Sequence, residues 1–199
     1  VEHGVLVDTV AVALHAWQRV DAPPCSPFVV FGAGPIGLCL IQVGLWLGHM
    51  PAFAVDIVPA AVELAERLGA AAIDASQMSP QELVGALRDS IAVGFEVVFD
   101  TTASPQAQAA GLEVLARGGT FVAVAGLADG TAVSPHDFAA QRRIQTTCNA
   151  RPEHYLTALQ LLAYGVVDAG QMITHRFPLE RIVEAFDTAR RKAETGACK

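Results

Sequence analysis

Aromatic residues make up only 7% of this 199-residue sequence, charged residues only 17%, and there are just four cysteines. Basic charge is also scarce: the formal net charge is −7 and the pI is near 5.3. A protein that grips a phosphate backbone shows a basic face, so nucleic acid is not an expected partner. The cysteines at positions 25, 39, 148 and 198 are too scattered for a Cys-x-x-Cys zinc lobe or a dense disulfide framework. Cys39 falls in an apolar helical run, where a buried small hydrophobe is expected. A reducing, cytoplasmic setting fits this usage. No run reaches the roughly 18 apolar residues of a membrane span, and the start lacks the basic-then-apolar pattern of a signal peptide, so no membrane partner is expected. Repeats and low-complexity tracts are missing too. What the chain has in quantity is apolar residues, 52% of the total, which exclude disorder and suffice for the core of a sizeable domain. It begins at Val1 and stops at Cys198-Lys199, and we read it as a segment of something longer.

The apolar runs alternate between strand-like and helix-like. Phe28 to Phe31 is a wholly apolar run of the kind seen in a strand buried on both faces. A glycine-rich turn (32–37) follows, then helical spacing over Leu38 to Leu47, closed by Gly48 and Pro51. Ala52 to Val55 is the next strand, ending at Asp56, and Pro59 to Leu68 the next helix. Ala71 to Ile73 is a third strand, and Ser79-Pro80-Gln81-Glu82 has the residues of a capping box opening a helix to about Ile91. Phe95 to Phe99 is a strand and Ser104-Pro105 starts a helix. Gly118-Gly119 is expected to end that helix before a strand at Thr120 to Val124. A short helical turn over Pro135 to Gln141 leads to an edge strand, Arg143 to Cys148. Six strands with long crossovers predict an α/β fold: a Rossmann-type, doubly wound six-stranded parallel sheet with helices on both faces. Outside it lie a helix near Thr9 to Val20, and two helices, Glu153 to Tyr164 and Leu179 to about Lys192, separated by the apolar stretch Met172 to Phe177. The expected division is 1–27 as an interdomain helix and lead-in, 28–150 as the dinucleotide domain, and 151–199 as a returning segment. The two ends are then stubs of a second domain.

The glycine pattern is the chemical signal. Gly32, Gly34 and Gly37 form G-x-G-x-x-G after a strand and at the opening of a helix, with Pro35 and Ile36 between them. An acid, Asp56, ends the next strand 19 residues after Gly37. Gly32 permits the tight turn, Gly34 lets backbone approach a pyrophosphate, and Gly37 allows helix and strand to pack closely. The helix N-terminus presents free N–H groups and a positive dipole end to the phosphates. Asp56 can accept hydrogen bonds from both ribose hydroxyls and would repel a 2′-phosphate. Ile57, Val58 and Pro59 offer no cation to receive one, so NAD is favoured over NADP. Asp56 can also cap the helix that follows, and an acid here suits the nucleoside of S-adenosylmethionine as well.

Phe-Val-Val-Phe-Gly-Ala-Gly-Pro-Ile-Gly (28–37), Phe-Asp-Thr-Thr-Ala-Ser (99–104), Gly-Gly-Thr-Phe-Val-Ala-Val-Ala-Gly-Leu (118–127) and Ile-Thr-His-Arg-Phe-Pro-Leu-Glu (173–180) resemble the medium-chain, zinc-dependent alcohol dehydrogenases. Within that family the polyol, butanediol and threonine dehydrogenase branch is the most similar. The resemblance spans nearly the whole chain and implies that Thr101, Ala125 and Gly126 approach the ribose and nicotinamide. It also implies a zinc-assisted hydride transfer between NAD and a small-molecule alcohol or polyol. The family's GroES-like catalytic domain, with its zinc-binding Cys and His-Glu pair, lies upstream of the match, so no catalytic residue is expected within these 199. Val7 to Ala16 resembles the interdomain helix, where Asp8 stands at the position of a glutamate that ligates zinc directly or through water. Asp8 is either that ligand or the N-cap of its helix. His15 is expected to be a packed or interdomain histidine, and His175 structural.

One carboxylate cannot hold a catalytic zinc, which takes three protein ligands. The expectation is that these residues alone bind NAD weakly and do not turn over alcohol. A free-standing NAD-binding module, or a zinc-free quinone reductase of the same superfamily, remain the alternatives. Arg143 to Cys148 is an edge strand that in the resembled family joins subunits, which implies a homodimer or tetramer. Arg190-Arg191-Lys192 reads as a helix C-terminal charge set. The helix at Thr9 to Val20 and the 151–199 tail are expected to lack cover and to limit solubility.

Overall fold

The computed structural model describes residues 2–199. A 3-10 turn at Glu2–Leu6 runs into α1 (Val7–Trp17), so this helix begins and ends earlier than its apolar pattern suggests. There follow β1 (Phe28–Phe31), α2 (Pro35–Trp46), β2 (Ala52–Asp56), α3 (Pro59–Arg67), β3 (Ala71–Asp74), α4 (Pro80–Ser90), β4 (Phe95–Asp100), α5 (Pro105–Glu113) and β5 (Leu115–Ala123). A 3-10 segment, Pro135–Gln141, leads to β6 (Arg143–Thr146), and the chain ends with α6 (Pro152–Ala163), α7 (Ala169–Met172), α8 (Ile182–Arg190) and α9 (Lys192–Thr195). All six strands pair in parallel in the order β3-β2-β1-β4-β5-β6. This is the doubly wound fold that the alternating pattern predicts. The order reverses between β1 and β4, which opens a crevice at their carboxyl ends.

Period-two alternation sorts the strand side chains onto two cores. Phe28, Val30, Ala52, Ala54, Val97, Phe99 and Val122 face one side, where α1, α2, α3 and α6 pack. Val29, Phe31, Phe53, Val55, Val98 and Phe121 face the other, against α4 and α5. Strand β1 is buried along its whole length, which is why its sequence shows no polar residue.

The capping box at Ser79 forms as read: Ser79 Oγ accepts the Glu82 N–H while the Glu82 carboxylate accepts the Ser79 N–H. Three more boundaries need correction, the first being the edge strand, which ends at Thr146 and not at Cys148. Gly118-Gly119 does not separate α5 from a strand at Thr120. The helix ends at Glu113, and both glycines lie inside β5, where Phe95 pairs with Leu115 but Val97 pairs with Thr120. The extra residues form a bulge, and Gly118, at φ 73°, takes its left-handed conformation. The C-terminal helix is likewise broken, into a 3-10 turn at Leu179–Arg181, then α8 and α9.

The expectation that both ends lack cover fails for α1 and for the first part of the 151–199 tail, where Ala158, Leu161, Val167 and Met172 join the core, and holds only for α8. In α1, Val10, Ala11, Ala13 and Ala16 have no exposed surface. Trp17 donates from Nε1 to the Leu40 carbonyl at 2.9 Å, and a Cβ at Gly44 would collide with its ring, so glycine there lets α1 lie against α2. None of the nine residues of α8, by contrast, is buried.

Candidate functional site

The glycine turn sits at the carboxyl end of β1. Gly32 has φ 94°, and a Cβ there would strike the Thr101 hydroxyl. That hydroxyl donates to the carbonyls of Phe31 (3.0 Å) and Gly32 (3.1 Å), which ties the end of β4 to the turn. A Cβ at Gly37 would overlap the Gly32 carbonyl oxygen, so the third glycine is fixed by close packing of α2 on the turn. Gly34 is different. It caps α2 at φ −74° and ψ −175°, and a Cβ there would have no described atom within 4 Å. Pro35 fills the first helical position, where its missing N–H costs nothing, and the N–H groups of Ile36 and Gly37 have no intrahelical acceptor. The turn therefore holds open space in front of an unpaired helix N-terminus, a setting made for an anion.

Asp56 closes β2 beside it. Its Oδ2 accepts the Ala33 N–H at 2.7 Å, and its Oδ1 accepts those of Ile57 (2.7 Å) and Val58 (2.9 Å). A carboxylate has about four acceptor positions, so the turn entering α3 and the glycine loop fill all but one. The helix-capping role and a ribose contact are thus compatible, the latter falling to the free position on Oδ2. A cleft of about 340 Å³ opens along the carboxyl edge between Asp56, Ile57, Met78, Thr102 and Ala107, and a smaller one of about 100 Å³ lies between Gly34, Asp56 and the C-terminal residues Lys192 and Cys198. Asp56 borders both. Ile57 is 67% exposed at the mouth of the larger cleft, a flat apolar surface for a ring to lie on. Ala125 and Gly126 lie beyond β5, three strands along the sheet from the β2 that ends at Asp56. Gly126 takes φ 84°.

The sequence reading missed the polar network between β4 and this last loop. Asp100, at the end of β4, is fully buried, and so is Gln108 in α5. Asp100 accepts from the Thr102 N–H and hydroxyl, the Ala103 N–H and Gln108 Nε2. A glutamine in line with the small and apolar residues of the inner face of α5 (Ala110, Gly111, Leu112) was the available signal.

Asp8 is not an N-cap. That position falls on Leu6, because α1 starts before Asp8, and the exposed carboxylate instead accepts the Tyr155 hydroxyl from α6 at 2.8 Å. This bond pushes the Tyr155 phenol above its usual range. Among the described residues no three His, Cys, Asp or Glu side chains converge to hold a metal. Asp8 keeps its Oδ2 clear of the Tyr155 bond, but one carboxylate is short of the three protein ligands that a catalytic zinc takes. His15 is packed: its ring stacks on His154 at 5.1 Å and bonds the Asn149 carbonyl at 3.0 Å. The basic run at 190–192 behaves as a helix-end charge set, with Arg190 near Asp187 (3.9 Å) and Arg191 near Glu194 (3.7 Å). Cys39 is buried, as its apolar run suggests, and its thiol is pushed far up by that burial. Among the described residues no helix is long and apolar enough to cross a membrane.

Residues 35–164 match the zinc-binding dehydrogenase family. The chain belongs to that family. It is 31% identical to the sorbitol dehydrogenase of Macaca fascicularis over 193 residues, which cover 94% of this chain and 53% of that protein. The Bos taurus sorbitol dehydrogenase gives 31% over 196 residues, covering 96% and 54%. Among solved structures, the 2R,3R-butanediol dehydrogenase of Bacillus subtilis superposes with a TM-score of 0.87 at 27% identity, covering 98% of this chain and 55% of that one. The alcohol dehydrogenase TADH of Thermus sp. ATN1 gives 0.84 at 25%, covering 99% and 56%. The family resemblance carried by the four motifs is therefore borne out. The chain spans about half the length of the relatives it matches.

Proposed function

We propose that this chain is the NAD-binding half of a cytoplasmic dehydrogenase that moves a hydride between a secondary alcohol or polyol and NAD. The observation that carries the reading is the pairing of open space at Gly34 with a carboxylate, Asp56, bordering the same crevice. Bound NAD supplies the hydride acceptor. The residues of this chain bind and orient it. The α2 N-terminus faces the pyrophosphate, Asp56 takes a ribose hydroxyl, and Ile57 and the β2 edge flank the adenine. Thr101, Ala125 and Gly126 bound the other half. A zinc-assisted step belongs to residues other than these. The relatives' names, sorbitol, butanediol and alcohol dehydrogenase, support the alcohol class. Four free thiols fit a reducing compartment. Strand β6 ends the sheet with an unpaired edge, which supports a homodimer or tetramer built through residues 143–148.

Titration with NADH and with NADPH, followed by fluorescence, tests the cofactor. NADH is expected to bind the tighter, and Asp56→Asn to narrow the gap. Tighter NADPH binding by the unaltered chain would overturn the role given to Asp56. The chain is also expected to show no zinc-dependent, alcohol-linked rise in NADH absorbance, and such a rise would contradict the half-enzyme reading.

A further inference from the structure

We infer that Gln108 is a positioning residue that latches the loop after β5 in place for the nicotinamide half of the dinucleotide, an inference that rests on the NAD-binding reading. Its side-chain amide is fully buried and makes every hydrogen bond it can. One Nε2 proton goes to Asp100 Oδ2 at 2.8 Å and the other to the Gly126 carbonyl at 2.9 Å. Oε1 accepts the Ala128 N–H at 3.1 Å and the Thr131 hydroxyl at 2.5 Å. Three of the four bonds therefore end on residues 126–131, and the fourth anchors the amide to β4.

A buried amide is tolerated only when satisfied, and an apolar side chain would fill the same space in α5. What glutamine adds is a fixed distance between the carboxyl end of β4 and the backbone of Gly126. The Asp100 carboxylate supports it. Its four donors, from Thr102, Ala103 and Gln108, leave it ordered without a basic partner. The Asp100 carbonyl also accepts the Val124 N–H at 2.8 Å, so residues 124–131 are held at both ends by one strand terminus. The consequence is spatial. In a doubly wound sheet the two halves of a dinucleotide lie on either side of the switch point. Asp56 ends β2 on one side, and the Gln108-held loop ends β5 on the other. Gln108 does not itself line the cleft beside Asp56, but its partner Asp100 also holds Thr102, which does. Thr131 bonds Gln108 from the Gly126 side and does not line that cleft, so a change there acts on one half of the ligand.

The experiment compares NADH with ADP-ribose, which lacks the nicotinamide, on the full chain. Gln108→Met empties the latch. Thr131→Val removes only the hydroxyl bond from a half-buried loop position that no core packing depends on, and Thr131→Ser restores it. NADH binding is expected to weaken about fivefold or more in the Met and Val variants, with ADP-ribose within about twofold of the parent in Thr131→Val. Amide exchange at residues 126–131 is expected to quicken in Thr131→Val and to return in Thr131→Ser. Equal weakening for both ligands in Thr131→Val, or unchanged NADH binding with unchanged exchange, overturns the inference. Failure of the parent chain to bind either ligand overturns the dinucleotide reading instead, and the exchange rates then decide whether the latch exists without it.

Discussion

Glycines 34 and 37 stand three residues apart in one motif, yet the structure gives them opposite physics. A methyl group at Gly37 meets the Gly32 carbonyl, backbone against backbone, where neither side can swing away. Gly37→Ala is expected to lower stability by about 2–3 kcal/mol, the scale of overpacking in a closed site. Urea denaturation checks this. Gly34 has an ordinary φ of −74° and empty surroundings, so Gly34→Ala should shift stability by no more than about 0.5 kcal/mol. The same methyl would stand where the pyrophosphate must come close to the N–H groups, and NADH affinity is expected to fall about tenfold. An unchanged affinity would place the phosphates elsewhere. The motif was legible in the sequence because strand, turn, helix and acid occur in order. Its division of labour was not, since spacing cannot tell a glycine that lacks room from one that provides it.

Between elements, the contact that matters most for acid behaviour is that of α1 with α6. Arg19 donates to His15 Nε2, so His15 carries its proton on Nδ1 and gives it to the Asn149 carbonyl. His154 Nδ1 accepts the Arg151 N–H at 2.9 Å, which leaves its Nε2–H buried without a partner. Burial, then the facing His15, lower the His154 pKa, with Arg151 and Arg19 adding to the effect and Glu153 opposing it. His49, stacked on Trp17 at 4.6 Å, is also lowered by burial, with Glu96 opposing. For both, the folded state holds the proton less well than the unfolded chain, whose histidines titrate near 6.5. Their contribution is whole above that pH and is lost as pH falls from 6.5 toward the lowered values. Stability is therefore expected to drop between pH 7 and 5, before the carboxylates titrate, and His154→Leu to flatten that slope. Denaturant midpoints across this range check it. An unaltered slope in the variant would mean that other groups carry the acid sensitivity. None of this was visible in the sequence. His15 could be read as packed from its place on an apolar helix face, but its partner lies 139 positions away on a helix whose packing depends on the whole sheet being formed. The bulge at Gly118-Gly119 escaped for the same reason, because a glycine pair after a helix also reads as a helix stop.

For the whole molecule, the two ends outside the sheet differ in how far this chain completes them. Helix α1 is enclosed by α2 and α6, so a charge at Val10, which has no exposed surface, should unfold it. At the other end, Leu179 (79% exposed), Ile182 (46%), Val183 (72%) and Phe186 (61%) project from α8 and the turn before it. Their spacing of three and four residues puts them on one face of the helix. An apolar stripe of this kind is normally covered by a further element or a partner, and left open it drives association. On the half-enzyme reading proposed above, this stripe is the surface that the other half would cover. The double variant Val183→Glu, Phe186→Lys should suppress concentration-dependent association, seen by light scattering, while changing Tm little, because no α8 side chain is part of the core. Two routes to association are separable here. If the α8 variant still associates, the free edge of β6 is the remaining contact, and Thr146→Lys, at an exposed position of that strand, should then abolish it. A large fall in Tm from the α8 substitutions would show that this face already packs within the chain, and the notion of an uncovered surface would fail with it.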